Sequence, residues 1–560
     1  MKGTLLRVFS ASIVVALVAA VVWTDLYANK LTTQESKKQS ARMNEKTAVI
    51  EADQRKAADN EMKKLMNRLS KEEQLQNTTY LLAGIGTDQN LFTNKVDGYA
   101  IRIPRNMKVD MQFSQIRAVL ESENLKIEIY RQDIDAKKGE SIASYVNYSN
   151  QFLNNKIDHF KESQGRIRIN DRPVTWQQWS RRALNRIDND KRYYASVEVE
   201  LSRDTVLTFL FKSSEKLDNK SYLDVIRSLE LIEKTSEPYV RKIRKTNNKS
   251  WNKHTAQVYE QYFGEGARLQ WGIFETDAPV DFTELKNIET KLDFTFPILL
   301  YYTGILENRE MHPSLATALA NAKKEGRLLE LTLQTNAQTP GKGNMVYDVL
   351  DGEYDTYLKN YAREVVQSEA PVLFRLGNEM NGDWCVYSSH HTSKDTDVFK
   401  AFYRYIHQIF REAGADNVIW VWNPNGKAFP DFKWNDELCY YPGDEYVDVV
   451  GMTSYNTGTY YESETWTEFD QMYDALYQKY IDLYEKPLMI TEFSSSSVGG
   501  SKEAWVSNMF RHILKYDRIK AAIWWDGCDW DADGNVARPY FIDETEELVR
   551  VFRENLARFK

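Results

Sequence analysis

The chain has 560 residues, more than one hydrophobic core usually serves, so two or three domains are expected. With 42% hydrophobic and 28% charged residues, the composition is that of a globular protein and excludes wholesale disorder. The net charge of −8 is mild for this length and offers no basic excess, so no nucleic-acid partner is expected.

Residues 1–30 contain an apolar run preceded by basic residues. Lys2 and Arg7 come before the run Val8–Trp23, which only two serines interrupt. A helix of about 16 residues covers roughly 24 Å, and the flanking apolar residues extend it to the thickness of a bilayer core. Because basic residues stay in the cytoplasm, we expect a single-pass membrane anchor with everything after Lys30 outside the cell. Secretion after signal cleavage is the alternative.

Residues 31–79 follow as a polar segment, rich in Lys, Glu, Ala and Gln and without Gly or Pro. This composition favours helix and predicts a stalk that holds the rest of the chain away from the membrane. Met62, Leu65 and Leu69 have the spacing of a coiled-coil seam, so a short coiled coil stays open as the alternative to a solvated stalk.

Residues 80–234 predict an α+β domain. The strand-like and helical stretches are, in turn, Tyr99–Ile103, Ile116–Leu120, Leu125–Tyr130 and Ser196–Phe211, and Ser141–Asn155 and Tyr222–Leu231. The segments GYAIRIPRN and YLDVIRSLELI resemble PsbP-like domains, a resemblance that brings no catalytic motif. We therefore expect a spacer or a module for an unidentified protein partner, followed by a basic linker over 235–256.

Residues 257–560 predict a (β/α)8 barrel. Eight short apolar runs have the character of parallel strands covered by helices, at Leu269–Phe274, Pro297–Thr303, Leu328–Gln334, Val372–Leu376, Val418–Trp422, Val447–Met452, Leu488–Thr491 and Ala521–Trp525. Each is followed by a helix-compatible segment, and eight such units in about 300 residues match a TIM barrel. A doubly wound sheet would need a Gly-rich turn after its first strand, and WGIFETDAPV has none. The expected fold class is therefore α/β: a TIM barrel preceded by an α+β domain, a helical stalk and an anchor helix.

Two glutamates stand at the carboxyl ends of predicted strands, where barrel enzymes place their chemistry. Glu379 follows the fourth strand and Glu492 follows the seventh, on opposite sides of the barrel mouth. Retaining glycoside hydrolysis needs one carboxylic acid to protonate the leaving oxygen and one carboxylate to attack the anomeric carbon. We expect these two carboxyl groups to lie about 5–5.5 Å apart.

Three segments resemble glycoside hydrolase family 26, a retaining family that includes β-mannanases: FRLGNEMNGDW (374–384), YYPGDEYVDVVGMTSYN (440–456) and KPLMITEF (486–493). The resemblance spans the whole C-terminal domain. It implies Glu379 as the general acid/base and Glu492 as the nucleophile. The same match implies that Arg375 supports the site from below and that Tyr455 donates a hydrogen bond to the nucleophile.

Further substrate contacts follow from the same resemblance and from the strand ends. Trp384 and Trp525 are expected as apolar walls around the sugar, and Trp422 as a further contact at the end of the fifth strand. Asn378 stands where the family usually has His, as in other families of the clan, where this amide binds the sugar 2-hydroxyl. Gln334 occupies the place of a third-strand His.

These departures, together with Thr453 in the place of a sixth-strand Asp, change sugar-contacting positions while both glutamates are kept. Mannan is the first expected substrate, and another β-glycan or an exopolysaccharide stays open. Two other functions also stay open: a catalytically silent glycan-binding protein on the cell surface, and a scaffold in which the middle domain carries the function.

No cofactor and no metal are expected. Three cysteines, Cys385, Cys439 and Cys528, form neither a disulfide framework nor a zinc motif, although one bridge between the first two stays open. Asp529-x-Asp531-x-Asp533-Gly534 begins like an EF-hand loop, but its twelfth position is Tyr540 rather than Glu, which favours an ordinary polar loop.

Overall fold

The computed structural model describes residue 56 and residues 77–135, 139–246, 250–335 and 341–560. Two compact units result, one of residues 77–107 with 228–237 and one of residues 108–227 with 238–560. The predicted anchor, and the stalk apart from Lys56 and residues 77–79, lie outside the described residues. Within the described ranges, no helix combines the length and the apolar character needed to cross a bilayer. The domain boundaries drawn from the sequence stay a prediction.

Before the barrel, the described residues include eleven strands and two α-helices. The strands are β1 (Tyr80–Ile85), β2 (Gln89–Asn94), β3 (Tyr99–Pro104), β4 (Lys108–Asp110), β5 (Ala118–Glu121), β6 (Leu125–Asp133), β7 (His159–Ile169), β8 (Arg172–Arg181), β9 (Tyr193–Glu200), β10 (Thr205–Ser213) and β11 (Glu230–Leu231). The helices are α1 (Ile142–Ser149) and α2 (Asn219–Arg227).

The strands form two antiparallel sheets, one in each unit. In the first unit, the order is β1-β2-β3-β11. In the second, a seven-stranded sheet has the order β4-β5-β6-β10-β9-β8-β7. The predicted stretch Ser196–Phe211 is divided between β9 and β10, because Leu201 and Thr205 close a turn between them. The predicted helix Tyr222–Leu231 ends earlier, at Arg227, and its last residues pair with β3.

The barrel region contains the remaining strands and helices. Its eight barrel strands are β12 (Gln270–Phe274), β13 (Ile298–Ile305), β14 (Leu328–Thr335), β15 (Val372–Leu376), β16 (Val418–Trp422), β17 (Val449–Thr453), β18 (Leu488–Phe493) and β19 (Ile519–Trp525), followed by a hairpin of β20 (Cys528–Trp530) and β21 (Val536–Pro539). Its helices are α3 (Lys253–Phe263), α4 (Thr283–Leu292), α5 (Leu315–Lys324), α6 (Met345–Leu350), α7 (Asp355–Ser368), α8 (Thr396–Glu412), α9 (Glu437–Tyr440), α10 (Phe469–Leu483), α11 (Lys502–His512) and α12 (Glu546–Leu556).

Strands β12 to β19 close into a parallel barrel, which confirms the fold predicted for the C-terminal domain. All eight predicted apolar runs overlap a barrel strand. Inside the barrel, side chains of alternate positions form an apolar layer that includes Leu300, Leu373, Ile419 and Ile523. The opposite strand faces pack against the surrounding helices. The lower barrel is therefore a filled core, and the polar side chains gather above it at the carboxyl ends of the strands.

Candidate active site

The structure brings Glu379 and Glu492 to the same end of the barrel. Glu492 lies within β18, where the pairing with both neighbouring strands shifts register. Such bulges re-aim a side chain, here at the barrel mouth. Glu379 lies three residues after β15 with φ of 54°, a left-handed conformation that is unusual for a non-glycine residue. Its backbone N–H donates to the carbonyl of Asn423, 2.7 Å away, which holds this conformation in place.

Glu492 is enclosed, with 4% of its surface exposed, and two groups from the barrel interior contact it. Arg375 Nη2 lies 3.3 Å from its Oε2, and the hydroxyl of Tyr302 donates to the same oxygen. Arg375 is itself fixed by hydrogen bonds to Thr332 Oγ1 at 2.8 Å and to Asn423 Oδ1 at 2.9 Å. Glu492 is thus fixed in place by a guanidinium and a phenol, the two groups that contact its Oε2.

Glu330 shares Arg375 with Glu492 and was not anticipated. It is fully buried on β14, with Oε1 2.8 Å from Arg375 Nε. Burial raises the pKa of Glu330 to about 8, against the lowering effect of Arg375, and the charge of Glu492 raises it further. With Glu330 neutral at pH 7, the positive charge of Arg375 is not compensated by Glu330 and acts mainly on Glu492. The signal in the sequence was a charged residue inside the apolar run LLELTLQT.

Glu379 has a different environment from Glu492. The indole of Trp384 donates from Nε1 to Glu379 Oε2 at 3.1 Å, and no cation contacts this carboxyl among the described residues. Desolvation raises the pKa of Glu379 to about 8, and the negative charge of Glu492 adds to the rise. A carboxyl group with this pKa keeps its proton at neutral pH, as a general acid must.

Asn378, Trp525 and Gln334 lie at the same end of the barrel as the two glutamates. Asn378 is buried, and Tyr387 donates to its backbone oxygen at 2.6 Å. Trp525 ends β19 and stacks on Phe274, with ring centroids 5.2 Å apart. Gln334 lies near the end of β14 on the same strand face as the inward-pointing Glu330.

Trp422 does not join this group. Its ring is completely buried and packs against Tyr441 and Tyr484, outside the barrel interior. The preceding residue, Val421, takes the inward position instead. Trp422 therefore supports the packing of the barrel wall rather than the substrate cleft.

The structure also corrects the partner expected for Glu492. Among the described residues, the hydroxyl donor to Glu492 is Tyr302 rather than Tyr455. Tyr455 instead lies against Tyr540 and Trp525, with ring centroids 5.4 and 6.3 Å away. Tyr302 could have been found from alternation, because Ile298, Leu300 and Tyr302 share the inward face of β13.

This difference predicts unequal effects for two conservative substitutions. Tyr302→Phe removes the hydrogen bond to a charged carboxylate, worth about 1.5–3 kcal/mol, so kcat/KM should fall roughly 10- to 100-fold. Tyr455→Phe keeps its ring contacts, so its fold-loss in kcat/KM should be less than a tenth of that of Tyr302→Phe. Steady-state kinetics on the best substrate measures both. A larger loss in Tyr455→Phe would return the role to Tyr455.

The structure also gives the surroundings of the cysteines and of the acidic loop 529–534. Cys385, Cys439 and Cys528 are free thiols. Asp531 lies in the turn between β20 and β21, where it accepts hydrogen bonds from Asn535 and from Tyr460 Oη at 2.7 Å.

Comparison with known proteins is consistent with this site. Residues 333–486 match the model for glycosyl hydrolase family 26, a span that includes Glu379 and ends before Glu492. Endoglucanase H of Acetivibrio thermocellus is 30% identical over 211 residues, 37% of this chain and 22% of that protein. A mannan endo-1,4-beta-mannosidase of Bacillus subtilis is 29% identical over 144 residues, 25% of this chain and 34% of that protein. The matches thus span about a third or less of these relatives.

Solved structures of mannanases also align with the chain. The alignment with a Bacillus subtilis mannanase covers 50% of this chain and 88% of the mannanase chain, with 22% identity and a TM-score of 0.38. The catalytic domain of a Bacillus sp. JAMB-750 endo-beta-1,4-mannanase covers 57% of this chain and 93% of its own, with 18% identity and a TM-score of 0.42. The family match over residues 333–486 and the related curated sequences show that this part of the barrel domain is similar to glycosyl hydrolase family 26.

Proposed function

We propose that the protein is a retaining glycoside hydrolase that cleaves a β-linked polysaccharide by double displacement. The observation that carries this proposal is the contrast between its two carboxyl groups. Glu492 contacts the guanidinium of Arg375 and the hydroxyl of Tyr302, whereas desolvation raises the pKa of Glu379 to about 8 and keeps it protonated at neutral pH. One group is thus prepared to attack and the other to donate a proton, as a retaining mechanism requires.

In the first step, a carboxylate oxygen of Glu492 attacks the anomeric carbon. The glycosidic bond breaks as Glu379 gives its proton to the leaving oxygen, which produces a glycosyl ester on Glu492. In the second step, the Glu379 carboxylate removes a proton from water, and the water oxygen attacks the anomeric carbon. The ester bond breaks, Glu492 returns as a carboxylate, and the configuration at the anomeric carbon is retained.

Two aromatic groups suit the site to pyranose rings. Trp525 and Phe274 stack at one side of the mouth. Trp384 and Phe429 lie 5.6 Å apart at the other, with about half of each side chain exposed. Rings of this kind present flat apolar faces to a sugar. The names of the relatives favour β-mannan first and β-glucan second, and an exopolysaccharide remains a third candidate.

The place of action is part of the proposal. The basic residues and the apolar run near the start of the chain support a single-pass membrane protein with the barrel outside the cell. An enzyme tethered in this way suits a polymer close to its own cell, such as a wall or capsule glycan, better than distant plant fibre. Recovery of the protein in culture medium, with an N-terminus after residue 20, would remove the basis for a tether.

The experiment is a screen of the full-length protein against polysaccharides, with Glu492→Gln as the inactive control. The panel contains β-mannan, β-glucan and the polymers of the producing cell surface, and new reducing ends are counted. Proton NMR of early products should show retained configuration. Inverted products would refute the roles of both glutamates. Binding without cleavage by both proteins would instead favour the silent glycan-binding function.

A further inference from the structure

The seven-stranded sheet region, residues 108–227, is not a separate spacer from the barrel. It is hydrogen-bonded to the segment 377–395, the acid loop, which joins β15 to α8 and carries Glu379. Hydrogen bonds across the contact join Trp179 Nε1 to Ser393 Oγ (3.2 Å), Lys394 Nζ to Ser196 Oγ (2.9 Å), Tyr194 Oη to Asp395 Oδ2 (2.8 Å) and Lys212 Nζ to Asp395 Oδ1 (2.6 Å). All of these side chains are buried.

Helix α1 of the same region also contacts the acid loop, next to Trp384. Tyr148 on this helix donates its hydroxyl hydrogen to Asp383 Oδ2 in the acid loop, and its ring lies 5.0 Å from that of His390. The imidazole of His391 approaches the backbone oxygen of Asp383 to 2.5 Å. Asp383 is therefore fixed by two contacts: Tyr148 of the sheet region binds its side chain, and His391 of the acid loop binds its backbone oxygen.

The neighbour of Asp383 is Trp384, whose indole donates to Glu379 at 3.1 Å. Trp384 is 49% exposed, so burial alone does not fix its orientation. An exposed side chain loses rotamer freedom only when its backbone and contacts are fixed. The anchored Asp383 supplies that fixed backbone, one residue before the indole.

We propose that Tyr148 is a positioning residue, through which the sheet region holds Trp384 in its hydrogen bond with the acid Glu379. The region 108–227 is on this view a built-in part of the active site rather than a spacer. The inference rests on the proposed function in one respect, namely that Glu379 acts as the acid.

The direction of the expected effect follows from the groups around Glu379. Desolvation and the charges of Glu492 and Asp529 raise the pKa of Glu379, whereas the Trp384 hydrogen bond and Arg375 lower it. Loosening Trp384 removes one of the lowering influences, so the pKa of Glu379 should rise. The alkaline limb of kcat/KM, where the acid loses its proton, should therefore move to higher pH.

The test compares Tyr148→Phe with Tyr145→Phe in the full-length protein. Both substitutions remove one hydroxyl from α1, but the Tyr145 hydroxyl pairs with Thr208 inside the sheet region, 2.9 Å away. In Tyr148→Phe, kcat/KM on natural glycan should fall about tenfold, the scale of one hydrogen bond to a charged group, and the alkaline limb should shift upward. An aryl glycoside whose leaving group needs no proton should be cleaved at nearly the unmodified rate. Tyr145→Phe should leave both pH limb and substrate preference unchanged.

A second measurement does not depend on any substrate. NMR titration with glutamate labelled with 13C at the side-chain carboxyl follows Glu379 directly, its signal assigned by its loss in Glu379→Gln. Its pKa should be higher in Tyr148→Phe and in Asp383→Asn, which alters the same contact from the barrel side, than in Tyr145→Phe. An unchanged pKa, or an equal change in Tyr145→Phe, would overturn the inference. If no glycan is cleaved but the titration shifts as stated, the proposed function fails and the positioning role stands.

Discussion

Replacing Glu492 with Ala is expected to abolish turnover of every substrate, because no other group can form the glycosyl ester. Glu379→Ala should lose about 10²- to 10⁴-fold on natural glycans, the usual contribution of a general acid. The same variant should keep much of its first-step rate on aryl glycosides with good leaving groups, which depart without a proton. Rates on a natural glycan and on an activated aryl glycoside, measured for both variants, test this difference.

Azide provides a sharper distinction between the two roles. In Glu492→Ala, azide can replace the nucleophile and should produce a glycosyl azide of inverted configuration. In Glu379→Ala, azide can attack the ester on Glu492 and should produce the retained configuration. The opposite pair of products would exchange the two roles, and normal activity in either variant would refute the mechanism. Glu379→Ala should lower the free energy of unfolding little, because this side chain lies at the barrel mouth without a cationic partner. Glu492→Ala also removes an ion-pair partner of the buried Arg375, so urea unfolding is measured for both variants.

Replacing Asp395 with Ala is expected to lower the free energy of unfolding. Asp395 is buried, accepts hydrogen bonds from Lys212 and Tyr194, and caps α8 by accepting from the backbone of Asp397. Removing it takes from the buried Lys212 ammonium one of three carboxylate partners, and Glu128 and Asp397 remain at 3.0 and 3.1 Å. The loss of this hydrogen bond between charged groups should cost about 1.5–3 kcal/mol. Loss of the helix cap adds about 1 kcal/mol. Urea unfolding of the full-length protein measures the sum.

Asp543→Ala is the matched control, since it removes the same side chain from a pair of the same length. Asp543 lies 2.6 Å from Lys291, as Asp395 does from Lys212, but half of the Lys291 side chain is exposed. An exposed pair contributes about 0–1 kcal/mol, so Asp543→Ala should be nearly neutral. Equal destabilisation by both substitutions would show that the Asp395 contact is not buried as described.

The barrel was predictable because its strands carry a strong local signal. Parallel strands covered by helices are almost continuously apolar, and all eight such runs became barrel strands. By contrast, β7 has the sequence HFKESQGRIRI and is largely exposed, so no apolar pattern marked it. Glu379 and Glu492 could be found because they follow apolar runs, whereas Tyr302 reaches the site from a strand that contributes no recognised motif.

The contact between the sheet region and the acid loop had no local signal. Lys212 and Asp395 are separated by 183 residues, and each is of a charged type that is usually found on the protein surface. Only the folded chain makes them partners. An isolated fragment of residues 257–560 would leave Asp395 and Lys394 without the groups that cover them, so activity should be sought in the full-length protein.

The same polar contact has a consequence for synthesis. The ribosome completes the sheet region well before it adds the acid loop, and at 5–20 residues per second the 183 residues between Lys212 and Asp395 take roughly 10–40 s. During this interval the face that later meets the loop is exposed to water. A face that carries Lys126 and Lys212, whose partners Asp397 and Asp395 come later in the chain, stays hydrated while it waits, whereas an apolar face would invite aggregation. The lysines that later form these ion pairs thus help the nascent chain to remain soluble until its second half is synthesised.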